Sequence, residues 1–175
     1  LRYAWFEKIR TSEGFDRIAT GHHLNDSFET ALLYFIRGTG LTGLTGIPIE
    51  NGAIIRPLLF ATRDDILAYA KMQQLDWRED SSNANDDYTR NAIRLRILPE
   101  ILKINPHFLS GAAATMQRLQ TADANLIFLL RERLGDPDAD GAHRLNKAQW
   151  AKLPALADAL FDALQPFGFT ADQAQ

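Results

Sequence analysis

Asp26 and Glu29 stand three residues apart just after Gly21-His22-His23-Leu24-Asn25, where residues 15–20 read as a short buried strand and Phe28, Leu32, Phe35 and Ile36 recur at helical spacing. In open α/β sheets ligands collect at the carboxyl ends of strands, so this strand-to-helix junction suits a binding site. Two carboxylates on a first helical turn can face one cationic ligand. The same Asp-x-x-Glu spacing also makes a capping box, in which Asp26 accepts from the Glu29 backbone N–H and Glu29 reaches back. Spacing alone leaves both readings open. His22 and His23 offer metal donors, but no third clear ligand stands beside them, which favours phosphate or nucleotide contact or a structural histidine.

A second group of candidates gathers around Asp80-Ser81-Ser82-Asn83 and Arg90-Asn91-Ala92-Ile93-Arg94. Arg90 and Arg94 near a helix start oppose the helix dipole, at a cost of about 0.3–1 kcal/mol each unless an anion compensates. A phosphate would do so; pairing with Asp86, Asp87 or Glu100 would do so equally. Arg56 and Arg63 either join the same anionic pocket or are ordinary surface residues. Gly38-Thr39-Gly40-Leu41-Thr42-Gly43 matches the letters of a dinucleotide fingerprint but follows a helix instead of a strand, so that reading is rejected. A glycine-rich loop bordering a substrate fits better.

The elements that must position these residues follow from the periodicity. A helix over residues 1–13 ends at Gly14; the strand 15–20 and a helix from residue 25, stopped by Gly38, come next. After the loop 38–46, residues 54–59 read as extended, and Thr62 caps a helix over 63–73. Residues 75–80 read as extended and 81–87 as a polar loop. Thr89 caps a helix that Pro99 should bend or restart, and Asn105-Pro106 breaks it. A long helix over 110–134 carries Met116, Leu119, Leu126, Leu130 and Leu134 on one face, and residues 147–164 are helical again with a restart at Pro154. The fold class expected is therefore α/β with a parallel sheet over residues 1–103, followed by an all-helical part over 104–175.

Composition narrows the functions. The 175 residues contain no cysteine, which excludes thiolate metal sites and thiol chemistry within them. The net charge of −3 gives no global attraction to nucleic acid, so any RNA contact needs a local basic patch. No run approaches the roughly 20 apolar residues of a membrane span, so no membrane partner is expected and the expected location is cytoplasmic. Leu1-Arg2-Tyr3-Ala4-Trp5-Phe6 reads as the middle of an amphipathic helix, which points to a missing amino-terminal segment.

Five ordered blocks carry a family resemblance: residues 20–30 (Thr-Gly-His-His-Leu-Asn-Asp-Ser-Phe-Glu-Thr), residues 37–46 (Arg-Gly-Thr-Gly-Leu-Thr-Gly-Leu-Thr-Gly), Arg56-Pro57-Leu58-Leu59, Asp80-Ser81-Ser82-Asn83, and Arg90-Asn91-Ala92-Ile93-Arg94. In this order they resemble the tRNA(Ile)-lysidine synthetases, members of the PP-loop ATP pyrophosphatases, over residues 1–110. The resemblance implies an adenine-nucleotide alpha-hydrolase-like domain followed by helical domains. It also implies a two-step reaction: ATP adenylates the C2 oxygen of wobble cytidine 34 in tRNA(Ile) with anticodon CAU, releasing pyrophosphate, and the amine of L-lysine displaces AMP. On that resemblance Asp26 and Glu29 hold the lysine, and Asp26, Glu29 and Arg94 are the catalytic set. His22, Arg90, Asn91 and Arg94 face ATP. Arg37, Gly38, Gly40, Arg56 and Arg63 face the tRNA. ATP with Mg2+ is the expected cofactor, and a homodimer is left open.

Two departures stand out. The family often has Asp-Asp-Gln where this chain has Asn25-Asp26-Ser27, and the Ser-Gly-Gly-x-Asp-Ser loop that cradles ATP phosphates does not occur in the sequence, so the 175 residues alone are expected to be inactive. The alternatives are another PP-loop tRNA-modifying enzyme, a tRNA thiolase being disfavoured by the absence of cysteine, or a non-catalytic RNA-binding fragment.

Overall fold

The computed structural model describes residues 2–78, 88–164 and 167–168; the Asp80-Ser81-Ser82-Asn83 block, Asp86 and Asp87 lie outside them. Two compact units divide the chain, Leu1–Leu119 and Gln120–Gln175.

In the first unit α1 (Arg2–Ser12) leads to β1 (Ile18–Ala19), with Gly14 at φ +72 making the turn between them. The strand is shorter and more open than its sequence suggests, Ile18 being half-buried and Ala19 exposed. It pairs parallel with β3 (Ile54–Ile55), Ile18 opposite Ile54 and Ala19 opposite Ile55. The sheet is nonetheless mixed and not all-parallel, because β2 (Glu50–Asn51) runs antiparallel to β3 through a two-residue turn. Gly52 at φ +60 is the first residue of that turn, Gly52-Ala53, as a type II′ hairpin requires.

α2 (Leu24–Arg37) follows the carboxyl end of β1, and its Gly38 stop has φ +76. The loop after it contains a short helix, α3 (Leu41–Leu44), that the glycine spacing conceals. α4 (Arg63–Met72) starts on the expected cap: Thr62 Oγ1 accepts from the Asp65 N–H, and the Asp65 carboxylate accepts from the Thr62 N–H and hydroxyl. These bonds, the hydroxyl first, hold the Asp65 carboxyl below its usual pKa.

α5 begins at Tyr88, ahead of Thr89, so Thr89 is inside the helix and not its cap. α5 (Tyr88–Ala92) runs without a break into a π-helical segment, Ile93–Ile97, and then α6 (Leu98–Ile104), with the Leu98 N–H bonding Ile93 O. Pro99 explains the widened turn. It has no N–H for the Leu95 carbonyl and its ring crowds that carbonyl, so the chain widens where a regular α-turn would clash.

The core of this unit is Leu24, Ala31, Leu98, Leu109 and Met116, with Phe28, Leu102, Phe108 and Ala113 packed against it. Phe28 and Phe108 meet edge to face, centroids 4.9 Å apart. The sequence places the change to a helical part after residue 103, but Leu109 and Met116 of α7 (Phe108–Leu134) belong to this core, which carries the compact unit on to Leu119.

The second unit has its own core of Leu130, Leu134, Trp150 and Ala163, with Leu126, Leu153 and Leu160 against it. Asn146 caps α8 (Lys147–Trp150), and α9 (Leu156–Leu164) begins after Pro154, at the expected restart. The described elements after Ile104 are all helices. No helix among the described residues is long and apolar enough to cross a membrane.

Gly46 ties the loop after α2 to this framework. At φ +76 it sits where a Cβ would collide with Ser27 Oγ and lie 2.9 Å from Met116 Sδ. Gly46→Ala should therefore destabilise the chain by at least about 1 kcal/mol, through left-handed strain and overpacking together. Chemical denaturation checks this, and an unchanged midpoint would contradict it.

Candidate functional site

α2 opens on His23 as its N-cap, one position earlier than the periodicity places the helix start. That shift decides the role of Asp26. Asp26 becomes the third helical residue, and its Oδ2 accepts from the His23 N–H at 3.0 Å. The capping interaction thus runs from Asp26 back to His23, and the Asp26-to-Glu29 box allowed by the sequence is not the one formed.

Glu29, one turn on, is 1% exposed. An isolated carboxylate so placed would cost several kcal/mol, and charge-assisted bonds offset that cost. Arg94 grips it bidentately, Nε to Oε1 and Nη2 to Oε2, both at 2.9 Å. Arg90 Nε donates to Oε2 at 3.2 Å and its Nη2 to Thr30 Oγ1 at 3.3 Å. Arg94 Nη2 also reaches Asp26 Oδ1 at 3.3 Å, while Arg90 Nη2 stands 4.0 Å from the same oxygen. The Glu29 hydrogen bond, with the attraction of Glu29 and Asp26, raises the Arg94 pKa against the opposing effect of burial.

The sequence candidates therefore converge, but on one another. Asp86, Asp87 and Glu100 are the partners the sequence suggests for the two arginines; the structure supplies Asp26 and Glu29. Two acids and two guanidiniums sum to zero formal charge, so the closed cluster attracts neither ammonium nor phosphate strongly. It remains reachable, since the side chains of Arg90 and Arg94 are 34% and 35% exposed and that of Asp26 13%. Arg94 lies in the π segment, a distortion that recurs at functional sites.

The other candidates are placed around this cluster. His22 is half-buried with Nδ1 2.9 Å from Thr20 Oγ1. His23 Nδ1 lies 3.4 Å from Asp26 Oδ2, outside hydrogen-bond geometry. Asn91 is half-buried; Arg37, Gly38, Gly40 and Arg63 are exposed. Arg56 corrects the surface reading, being only 7% exposed, with Nη1 donating to Pro48 O at 2.7 Å. Among the described residues no cluster of three His, Cys, Asp or Glu side chains is arranged for a metal ion.

Structure gives the departures at Asn25 and Ser27 their own work. Asn25 Oδ1 accepts from the Arg63 N–H at 3.0 Å and so caps α4, a role an aspartate oxygen can also fill. Ser27, 5% exposed, accepts from the Ile47 N–H at 2.9 Å beneath Gly46. A longer amide would not fit that space without movement. Thr30, which anchors Arg90, escapes sequence reading; the only available signal is its position one turn beyond Asp26 on the same helix face.

The family model described as PP-loop domain matches residues 1–101. The chain is 39% identical over 170 residues to the tRNA(Ile)-lysidine synthase of Parabacteroides distasonis, an alignment covering 97% of this chain and 39% of the relative. Against that of Bacteroides thetaiotaomicron it is 40% identical over 179 residues, 99% of this chain and 40% of the relative. Against that of Chlorobaculum tepidum it is 46% identical over 101 residues, 58% of this chain and 30% of the relative. The chain spans about two fifths of the length of the first two.

Because Arg94 supplies two bonds to Glu29 and one to Asp26 where Arg90 supplies one to Glu29 and one to the Thr30 hydroxyl, Arg94→Ala should cost about 1.5–3 kcal/mol and Arg90→Ala distinctly less. Urea unfolding of the two variants measures the difference; equal losses would contradict the bidentate assignment.

Proposed function

The chain belongs to the PP-loop domain family, and from that premise we propose that it forms part of an ATP-dependent ligase that joins L-lysine to C2 of cytidine 34 in tRNA(Ile) with the anticodon CAU, acting in the cytoplasm. The observation that carries this reading is the charge cluster of Asp26, Glu29, Arg90 and Arg94 at the start of α2, in a chain whose relatives share one printed name.

The chemistry demands both signs of charge. Adenylation joins the cytidine O2 to the α-phosphorus and expels pyrophosphate, so cations must stabilise charge on phosphoryl oxygens. In the second step the amine nitrogen attacks C2, AMP departs with the oxygen, and the nitrogen gives up a proton. On this reading the closed cluster opens by exchange. ATP phosphates draw Arg90 and Arg94 outward, with His22 and Asn91 beside them, and the carboxylates they release, Asp26 first and Glu29 behind it, receive the lysine ammonium. Glu29 serves the closed state as the residue that positions both arginines. Magnesium would accompany the phosphates as their counter-charge. Exposed Arg37, Gly38, Gly40 and Arg63 form the face offered to the tRNA.

A non-catalytic RNA-binding role would rest on the exposed Arg37, Gly38, Gly40 and Arg63 alone, without the charge cluster. The two readings separate in a chimera in which this chain replaces the matching segment of the Parabacteroides distasonis relative, with the unaltered relative as positive control. Labelled lysine should enter tRNA(Ile) and fail to enter a transcript altered at C34. Asp26→Ala in that chimera should raise the lysine KM at least tenfold while moving the ATP KM far less; a folded chimera that binds the tRNA but incorporates no lysine would favour the binding role.

A further inference from the structure

The glycine-rich segment after α2 is fastened to the fold at both of its ends. At its start the Gly38 N–H donates to Phe35 O and closes α2. At its finish four consecutive residues are fixed. Gly46 packs so closely on Ser27 that a Cβ would collide with Oγ, and the Ile47 N–H donates to that oxygen at 2.9 Å. Pro48 O accepts from Arg56 Nη1 at 2.7 Å, and Ile49 O accepts from the Arg56 N–H at 2.9 Å. Between these ends α3 is closed by Thr45, whose N–H and hydroxyl both donate to Thr42 O.

Ser27 does more at this junction than fill space. Its buried Oγ accepts from Ile47 while the hydroxyl donates towards Met116 Sδ at 3.9 Å, so one side chain joins α2, the end of the loop and α7. Removing the hydroxyl would leave the Ile47 N–H without this acceptor. Ser27 also directly follows Asp26, whose carboxylate meets Arg94, and stands two residues before Glu29. The bond to Ile47 therefore ties the loop to the same helical turn that carries the charge cluster and fixes the spacing between them.

We propose that Ser27 is a positioning residue for the RNA substrate: it holds the loop over residues 38–46 in register with Asp26 and Glu29, so that a nucleotide resting on the loop meets the groups that carry the lysine. The inference rests on the reading of exposed Gly38 and Gly40 as part of the face offered to the tRNA. Ser27 itself touches neither RNA nor lysine and acts through Ile47. A loop fixed before binding loses less conformational freedom when the RNA arrives, which favours affinity, and a fixed spacing to the cluster favours the reaction.

The test is Ser27→Ala in the chimera with the Parabacteroides distasonis relative, compared with the unaltered chimera at a temperature where circular dichroism shows both folded. The tRNA KM should rise about fivefold and kcat fall about tenfold, while the KM values for lysine and ATP stay within about twofold. A merely structural hydroxyl would lower the folded fraction, and with it the apparent kcat, without moving any KM. That result, or lysine and ATP KM values rising as much as that for tRNA, would overturn the proposal. Hydrogen exchange of the 175-residue chain reads the same bond without catalysis: Ser27→Ala should speed exchange over residues 41–47 about tenfold relative to α2, and an unchanged ratio counts against the clamp. If the unaltered chimera binds tRNA but transfers no lysine, the ligase reading fails and the tRNA Kd decides this one; Ser27→Ala should raise it about fivefold, and an unmoved Kd overturns the inference. An unaltered chimera that binds no tRNA overturns both. Should Ser27→Ala fail to fold, Ser27→Cys, which keeps the side chain's shape with a weaker acceptor, is read in the same way.

Discussion

The buried carboxylate of Glu29 is the constraint around which the first unit is arranged. At 1% exposure a carboxylate is costly without charged partners, so the helix that carries it must be met by cations. Arg90 and Arg94 come from a segment more than sixty residues away, and their approach fixes where α5 and the π segment lie against α2. The apolar core below, with Leu24, Ala31 and Leu98, is non-directional; the bidentate bond of Arg94 supplies the register that core packing lacks.

That arrangement also makes the site a closed one. Four charges that cancel give little field at long range, yet every member of the cluster is of the kind that an ATP-dependent ligation of an amine would use. Stability and function compete for the same atoms. The π turn at Pro99 sits within this competition, since Arg94 lies in it. Arg56 presents a different case, buried with no ion pair among the described residues.

Local chemistry made much of the fold legible. α2, α4 and α7 stand out through apolar periodicity and through Gly38, Thr62 and the Asn105-Pro106 break; the α8–α9 restart follows from Pro154. The β2–β3 hairpin was missed, only residues 54–59 being read as extended, because the alternation around it is too short to announce strands. α3 was hidden because four residues between glycines carry no period. Pairing could not be read in this way. The types and spacings of Asp26, Glu29, Arg90 and Arg94 mark them as chemistry-bearing, but which acid meets which arginine depends on a tertiary approach that no local pattern encodes. Burial of Arg56 is likewise a property of what packs over it, invisible in Arg56-Pro57-Leu58-Leu59.

A double-mutant cycle on Glu29→Gln and Arg94→Ala tests the account at its centre. If the two side chains are the clamp that holds α2 to the π segment, the losses are strongly non-additive, with a coupling of about 1–3 kcal/mol by equilibrium unfolding. Losses that simply add, to within about 0.5 kcal/mol, would contradict the clamp and the account built on it.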